Sequence, residues 1–187
     1  MATTADGRCW WRRDTGCVEV SVQPCAASDL AVLQQFAAVT GRSLMAKRWL
    51  DLQSVGDLTY LVAWSGNVPV GHVCVRWAGR PDGLVQRELP GVPELAALEV
   101  YPAELRRHGV GRRLIEAAQE HVRARSCTRL GMAVGTENAA AMELCTRLGF
   151  VDWGRGAYRS SWKDIDFSSR ATVRADVVTY LVKDLAA

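Results

Sequence analysis

Arg106–Arg113 reads RRHGVGRR, two glycines set among four arginines and one histidine. Upstream lies LEVYP (Leu98–Pro102), a β-type run closed by proline. Downstream, VGRRLIEAAQEHVRA (Val110–Ala124) places Val110, Leu114, Ile115, Ala118 and Val122 at the spacing of one helix face. A loop between a strand and a helix start presents backbone N–H groups that have no intrahelical partner, at the positive end of the helix dipole. Glycine lets an anion approach that backbone without a Cβ in the way, and arginine adds charge-assisted donors suited to phosphate oxygens. The stretch therefore predicts a phosphate cradle. It fits neither common kind. A Walker loop needs Gly-Lys-Ser/Thr where Gly111 is followed by Arg112-Arg113, and a dinucleotide fingerprint needs a third glycine where Leu114 stands. On these residues alone, a helix that starts after glycines and carries a solvated basic face is the competing reading.

Outward from this loop, the chain alternates strand and helix signals. VEVSVQ from Val18 has period two, Ser28-Asp29 opens the helical run LAVLQQFAAV, and a second helix is expected from Ser43 to about Val55 with Leu44, Trp49, Leu52 and Val55 as its apolar stripe. LTYLVAWSGNVPVGHVCVRW reads as a β-hairpin turning at Ser65-Gly66-Asn67, and GRPDGLVQRELPGVP from Gly79 as a surface loop leading into the strand ELAALEVYP. After the glycine loop and its helix come the strand TRLGMAV, the helix NAAAMELCTRLG ending at Gly149, and at least two further strands. The order is β-α-α-β-β-β-α-β-α-β-β.

With 187 residues, 49% hydrophobic and 23% charged, the chain predicts one compact domain over residues 17–187 behind an irregular arm, residues 1–16, that contains Trp10-Trp11. A net charge of +3, spread along the chain, argues against nucleic acid and for a local anionic ligand. No segment approaches the ~18 apolar residues of a membrane span and the N-terminus carries no signal-like run, so a cytoplasmic protein is expected. The six cysteines, at 9, 17, 25, 74, 127 and 145, form no Cys-x-x-Cys pair, which predicts no metal site.

The spacing Arg106-x-x-Gly109-x-Gly111 after a strand and before an amphipathic helix resembles the pyrophosphate-binding motif of the GNAT acyltransferase superfamily. Asn138–Phe150, NAAAMELCTRLGF, resembles that family's second signature, Asn-x-x-Ala-x-x-Leu-Tyr-x-x-x-Gly-Phe. The resemblance implies an α/β (α+β) fold: a mixed, mostly antiparallel sheet of about seven strands, with a V-shaped splay between strands 4 and 5 and about four flanking helices. It implies acetyl-CoA as co-substrate and direct attack by an amine in a ternary complex. The loop Arg106, Arg107, His108, Gly109, Val110, Gly111 and Arg112 would bind the coenzyme A pyrophosphate through backbone N–H groups. Val100, with Tyr101, would bind the pantetheine arm by main chain, and an N–H of the same strand would steady the thioester oxyanion. Asn138 would reach the pantetheine, or cap its helix, or both. Glu99 would take the amine's proton, through water, or is an ordinary carboxylate on a strand edge. Between Pro102 and Gly109 the loop is one residue longer than the family pattern, so Glu99, Val100 and Tyr101 could each slip by one, which turns a strand residue to the other face.

Where the pattern has Tyr, this chain has Cys145. Asn138, Ala141 and Cys145 fall on one helix face at i, i+3 and i+7, directing the thiol toward the thioester. Three roles stay open: acid for the departing thiolate, since a thiol of pKa ~8.5 is more acidic than a phenol of ~10; spectator, with water or a tyrosine such as Tyr101 or Tyr158 as donor; or nucleophile, which would need a depressed pKa. The acceptor is expected to be a small-molecule amine bound near Arg42–Asp57 and Trp153–Asp176, with Trp49, Trp153, Trp162, Asp51, Asp164 and Asp166 as candidate walls. Protein N-termini or lysines, and a non-catalytic acyl-CoA sensor, are the alternatives. No nucleic acid, membrane or metal is expected as a partner, and a monomer or homodimer is.

Overall fold

The computed structural model describes residues 19–40, 45–165 and 171–185, with side chains at most of these positions. The sequence's N-terminal arm with Trp10-Trp11, and Asp166, lie outside the described residues. Seven strands, β1 (Ser21–Pro24), β2 (Leu58–Ser65), β3 (Val68–Arg76), β4 (Glu94–Val100), β5 (Arg129–Gly135), β6 (Val151–Ile165) and β7 (Ala171–Asp184), form a sheet in the order β1-β2-β3-β4-β5-β7-β6. Five α-helices are described: α1 (Leu30–Thr40), α2 (Ala46–Ser54), α3 (Gly83–Glu88), α4 (Val110–Ala124) and α5 (Ala139–Arg147). None is long and apolar enough to cross a membrane. By contact the chain divides into two compact units, Met1–Cys74 with Ala97–Ala117, and Val75–Ala96 with Ala118–Ala187.

In the first unit, β1 pairs antiparallel with β2 from Ser21↔Trp64 to Pro24↔Leu61. The β2–β3 hairpin turns at Gly66, whose φ of +58° is the left-handed value its turn requires. Helix α2 is pinned to the strands by one side chain: Gln53 Nε2 donates to Cys25 O at 2.8 Å, and Tyr60 N donates to Gln53 Oε1 at 2.8 Å. Of the expected helix, Ser43 and Leu44 lie outside the described residues, and the C-terminal end stops at Ser54. Val55 is its C-cap and 70% exposed rather than core. Gly71 permits close approach of β3 to β4, because a Cβ there would lie 2.8 Å from Glu99 O.

In the second unit, β7 pairs antiparallel with both β5 and β6. The β6–β7 register shifts between Asp152 and Ala157, where Asp152 Oδ1 accepts from Gly154 N (2.7 Å) and Gly156 N (3.3 Å). Strand β4 joins β5 in parallel through Glu94↔Gly131 and Leu95↔Met132, two residue pairs from strands of seven residues each. A ladder this short is what the expected splay requires. Two residues further along β4, Ala97 has φ +53°, the kind of local irregularity that ends regular pairing.

The segment from Gly79, expected as a surface loop, is different. It contains α3, started by Asp82, whose Oδ1 accepts from Leu84 N (3.0 Å) and Val85 N (3.3 Å). Arg80 and Asp82 are buried with Glu94 and Ser160. Arg80 Nη1 donates to Glu94 Oε1 (2.9 Å), its Nε and Nη2 donate to Ser160 Oγ (3.1 and 3.0 Å), Ser160 Oγ donates to Asp82 Oδ2 (2.8 Å), and Arg76 Nη1 donates to Glu94 Oε2 (3.0 Å). Every charge in this group has a partner, as burial of charge demands. Arg80 thus ties the start of β4 to β6.

Helix α4 buries the face read from its periodicity: Val110, Leu114, Ile115, Ala118 and Val122 are each at most 1% exposed. Each of the four larger side chains contributes roughly 1.5–3 kcal/mol by burial. Helix α5 is capped by Asn138, whose Oδ1 accepts from Ala141 N at 3.1 Å, and is followed by Gly149 at φ +83°.

Candidate active site

Pro102 is followed by a 3-10 turn, Ala103–Leu105, anchored by the buried Leu105. The chain is then extended at Arg106 (φ −65°, ψ 149°), left-handed at Arg107 (φ +66°) and again at Gly109 (φ +86°), and α4 begins at Val110 with Arg113 N donating to Gly109 O at 3.0 Å. Alternation of this kind turns successive backbone N–H groups to one side, and the first turn of a helix adds N–H groups without intrahelical partners. A Cβ on Gly109 would meet nothing within 4 Å, so the glycine serves its φ, and the space beside it is open.

The arginines divide their work. Arg106 Nε donates to Val100 O (3.3 Å), folding the loop back on the end of β4. Arg112 Nε pairs with Glu116 Oε1 at 2.9 Å on the surface, and Arg113 Nη1 donates to Val20 O at 2.9 Å. Arg113 therefore braces Val20, the residue before β1. Arg107 and His108 are exposed.

Tyr101 N donates to Val70 O at 3.0 Å, so the main chain of Tyr101 faces β3 and that of Val100, one residue away, faces the other edge. Val100 is thus the residue whose main chain is turned away from β3. The N–H of Tyr101 is used within the sheet, and its ring is buried against Phe36 (centroids 5.1 Å) and His72 (5.6 Å). Glu99 is half-buried on β4.

Cys145 is fully buried, its thiol 3.5 Å from Met132 Sδ, and burial pushes the thiol up to about 11. That shift is opposite to the depressed value a nucleophile needs. It also removes the acidity that recommended the thiol as a proton donor.

Among the candidate acceptor walls, Trp49 packs on Tyr60 (5.0 Å) and His72 (4.9 Å). Trp153 packs on Tyr158 (5.6 Å) and Tyr180 (5.5 Å). Asp51 pairs with Lys47 at 3.0 Å on the surface. Trp162 and Asp164 belong to β6, but their side chains lie outside the described residues. Sequence reasoning missed His72, 2% exposed in the apolar run VGHVCV; a polar ring on a buried strand was the available signal.

Residues 29–150 match the model of the acetyltransferase (GNAT) family. The chain belongs to this family. It is accordingly an acyl-CoA-dependent N-acetyltransferase by class. No curated protein matches the chain. Solved structures share its fold: a putative acetyltransferase, yncA, from Salmonella typhimurium with its cofactor acetyl-CoA (17% identity, TM-score 0.58, covering 89% of this chain and 94% of that one), and the ribosomal-protein-S18-alanine N-acetyltransferase from Escherichia coli (16%, 0.60, 90% and 96%). A third, the paia N-acetyltransferase from Thermoplasma acidophilum in complex with coenzyme A, is 13% identical with a TM-score of 0.56 over 89% of this chain and 99% of that one.

Proposed function

We propose that this GNAT protein moves the acetyl group of acetyl-CoA to the amine of a small molecule, by direct attack in a ternary complex. The observation that carries the proposal is the loop before α4: two left-handed residues, Arg107 and Gly109, followed by a helix N-terminus. That geometry suits a pyrophosphate, and the open space beside Gly109 fits a group that must come close to the backbone. Residues Arg106–Arg112 would hold the pyrophosphate by backbone N–H groups, with the exposed side chains of Arg107 and Arg112 adding charge. Val100 would bind the pantetheine by main chain. Asn138 caps α5 through its Oδ1, which leaves its Nδ2 to serve as a donor.

The acceptor arrives as an ammonium ion of pKa ~10 and must lose a proton before attack, a step assigned to Glu99 directly or through water. The second proton leaves nitrogen as the tetrahedral intermediate collapses, and ends on the coenzyme A sulfur. Cys145 takes no part in either transfer: its buried, weakly acidic thiol supports the spectator role, with water or a tyrosine delivering the second proton. Aromatic rings at Trp49 and Phe36, with Glu99, suit a protonated amine better than an anionic acceptor. We assign the activity to a cytoplasmic domain over residues 17–187, acting as monomer or homodimer.

Release of free thiol from acetyl-CoA, measured across amino acids, polyamines, aminoglycoside-like amines and peptides with free N-termini, tests this directly. Turnover on a small amine supports it. Turnover confined to peptides would move the acceptor to protein N-termini or lysines. Tight acetyl-CoA binding without turnover on any amine would make the protein an acyl-CoA sensor.

A further inference from the structure

The bond from Tyr101 N to Val70 O sets these two residues opposite one another in antiparallel strands. Two residues along each strand, His72 stands opposite Glu99. Directly opposed residues share a face of the sheet with Cβ atoms about 5 Å apart. The face is the one toward α1 and α2, since His72 meets Trp49 of α2 and Tyr101 meets Phe36 of α1, while the missing Cβ of the neighbouring Gly71 points at Val110 and Leu114 of α4. On that face Tyr101 Oη lies 3.4 Å from His72 Nδ1. Phenol, imidazole and carboxylate therefore follow one another across β3 and β4.

We propose that His72 is the proton-holding partner of Glu99, held by Tyr101, and that the two act as one base toward the acceptor amine. The proposal rests on Glu99 as the group that meets the amine's proton. With Nδ1–H donating to Tyr101 Oη, Nε2 is the ring's acceptor, and Glu99 stands across the strand pair from the imidazole. The ammonium proton passes to the Glu99 carboxylate and from there to Nε2, leaving a free amine, a restored carboxylate and an imidazolium paired with it. No other bond is made or broken in this step. A carboxylate alone, of pKa ~4.3, is a weak base toward an ammonium of ~10, and an imidazole of ~6.5 behind it brings the base closer to working pH. His72 acts through Glu99 and is a positioning residue.

Several elements contribute groups around His72. Tyr101 and Glu99 come from the β4 segment, Tyr60 from β2, Cys74 from β3 itself and Trp49 from α2, and Phe36 of α1 packs on Tyr101. Burial, with Tyr101, Cys25 and Cys74 nearby, holds the Tyr60 phenol well above its usual range, so it stays neutral. The site thus sets a carboxylate and an imidazole among aromatic rings.

His72→Phe keeps an aromatic ring against Trp49 and Tyr60 and removes the exchangeable nitrogen. The expected result, with the best amine found, is a kcat lower by about 100-fold, a KM for acetyl-CoA changed by less than about threefold, and an acid limb of kcat/KM moved down by roughly two pH units, the gap between imidazole and carboxylate. His72→Gln, which retains a polar side chain, should show the same pH shift and serves if the Phe variant does not fold. An unchanged kcat and pH profile in whichever variant folds overturns the proposal. Glu99→Gln separates the two readings. If it loses activity while the His72 variants keep theirs, Glu99 is the base without His72; if it keeps activity, the assignment of Glu99 itself fails.

Discussion

Gly109→Ala isolates why a glycine stands at the head of α4. The backbone there has φ +86°, and a Cβ would meet no atom within 4 Å, so the cost of alanine in the free protein is conformational rather than steric. A left-handed non-glycine residue costs roughly 1–2 kcal/mol, which for a chain of this size lowers Tm by about 2–8 °C. Asparagine tolerates the left-handed region far better than alanine, so Gly109→Asn should lose less than half as much, although its side chain is larger. Thermal unfolding without ligand reads this difference. In thiol-release assays both variants should raise the KM for acetyl-CoA by about threefold or more, equivalent to ~0.7 kcal/mol, because the new Cβ enters the space proposed for the pyrophosphate. An asparagine variant as unstable as the alanine variant would refute the conformational argument. Unchanged KM values in both would refute the placement of the anion.

Other positions can be tested in the same way. Gly131→Ala puts a Cβ 2.0 Å from Tyr180 Oη and 2.6 Å from its Cζ, in a ring with no exposure, so a loss of about 3 kcal/mol is expected in urea unfolding. Tyr180→Phe should not rescue it, because the Cζ contact persists, whereas Tyr180→Leu should rescue it in part. Glu94→Gln leaves Arg80, itself buried, without its carboxylate, and should cost about 3–5 kcal/mol by denaturant titration. Burial raises the Asp82 carboxyl, but the Ser160 hydroxyl, the N–H groups of Val85 and Leu84 and the Arg80 charge outweigh it and hold the group below its usual value. Its stabilisation is therefore complete above ~3.9 and lost as pH falls through the lowered pKa, and Asp82→Asn should flatten acid unfolding in that window. Cys145→Ala should keep kcat within about threefold, and mass spectrometry after acetyl-CoA alone should find no acetyl group on the peptide holding Cys145, as expected of a buried thiol whose pKa is pushed up to about 11.

The parts legible in the sequence were those with a strong local signal. The period of Val110–Val122, the turn at Gly66 and the helix end at Gly149 each follow from residues within one element, and each is where the pattern placed it. Helix α3 was not legible: six residues between Asp82 and Pro90, opened by glycine, make no apolar stripe, and its cap is visible only with the hydrogen bonds. Nor was the burial of Arg80 and Asp82, because Ser160, which joins them, lies 80 and 78 residues away along the chain. Arg113 lies in the same basic stretch as Arg106, yet it reaches Val20, a partner from the other end of the chain. For Cys145 the helix face could be read, but the thiol's acidity depends on packing around Met132 that no spacing encodes. The surroundings of His72 come from Trp49 of α2, Tyr60 of β2 and Tyr101 after β4, and single-strand alternation marks it only as buried.

Amide hydrogen exchange of residues 106–112, followed with and without saturating coenzyme A, measures the backbone N–H groups on which the coenzyme assignment depends. Slowed exchange across Arg107–Arg112 on binding, lost when pantetheine without its pyrophosphate replaces the whole coenzyme, is the predicted result. Unchanged exchange in that loop while coenzyme A is bound would contradict it.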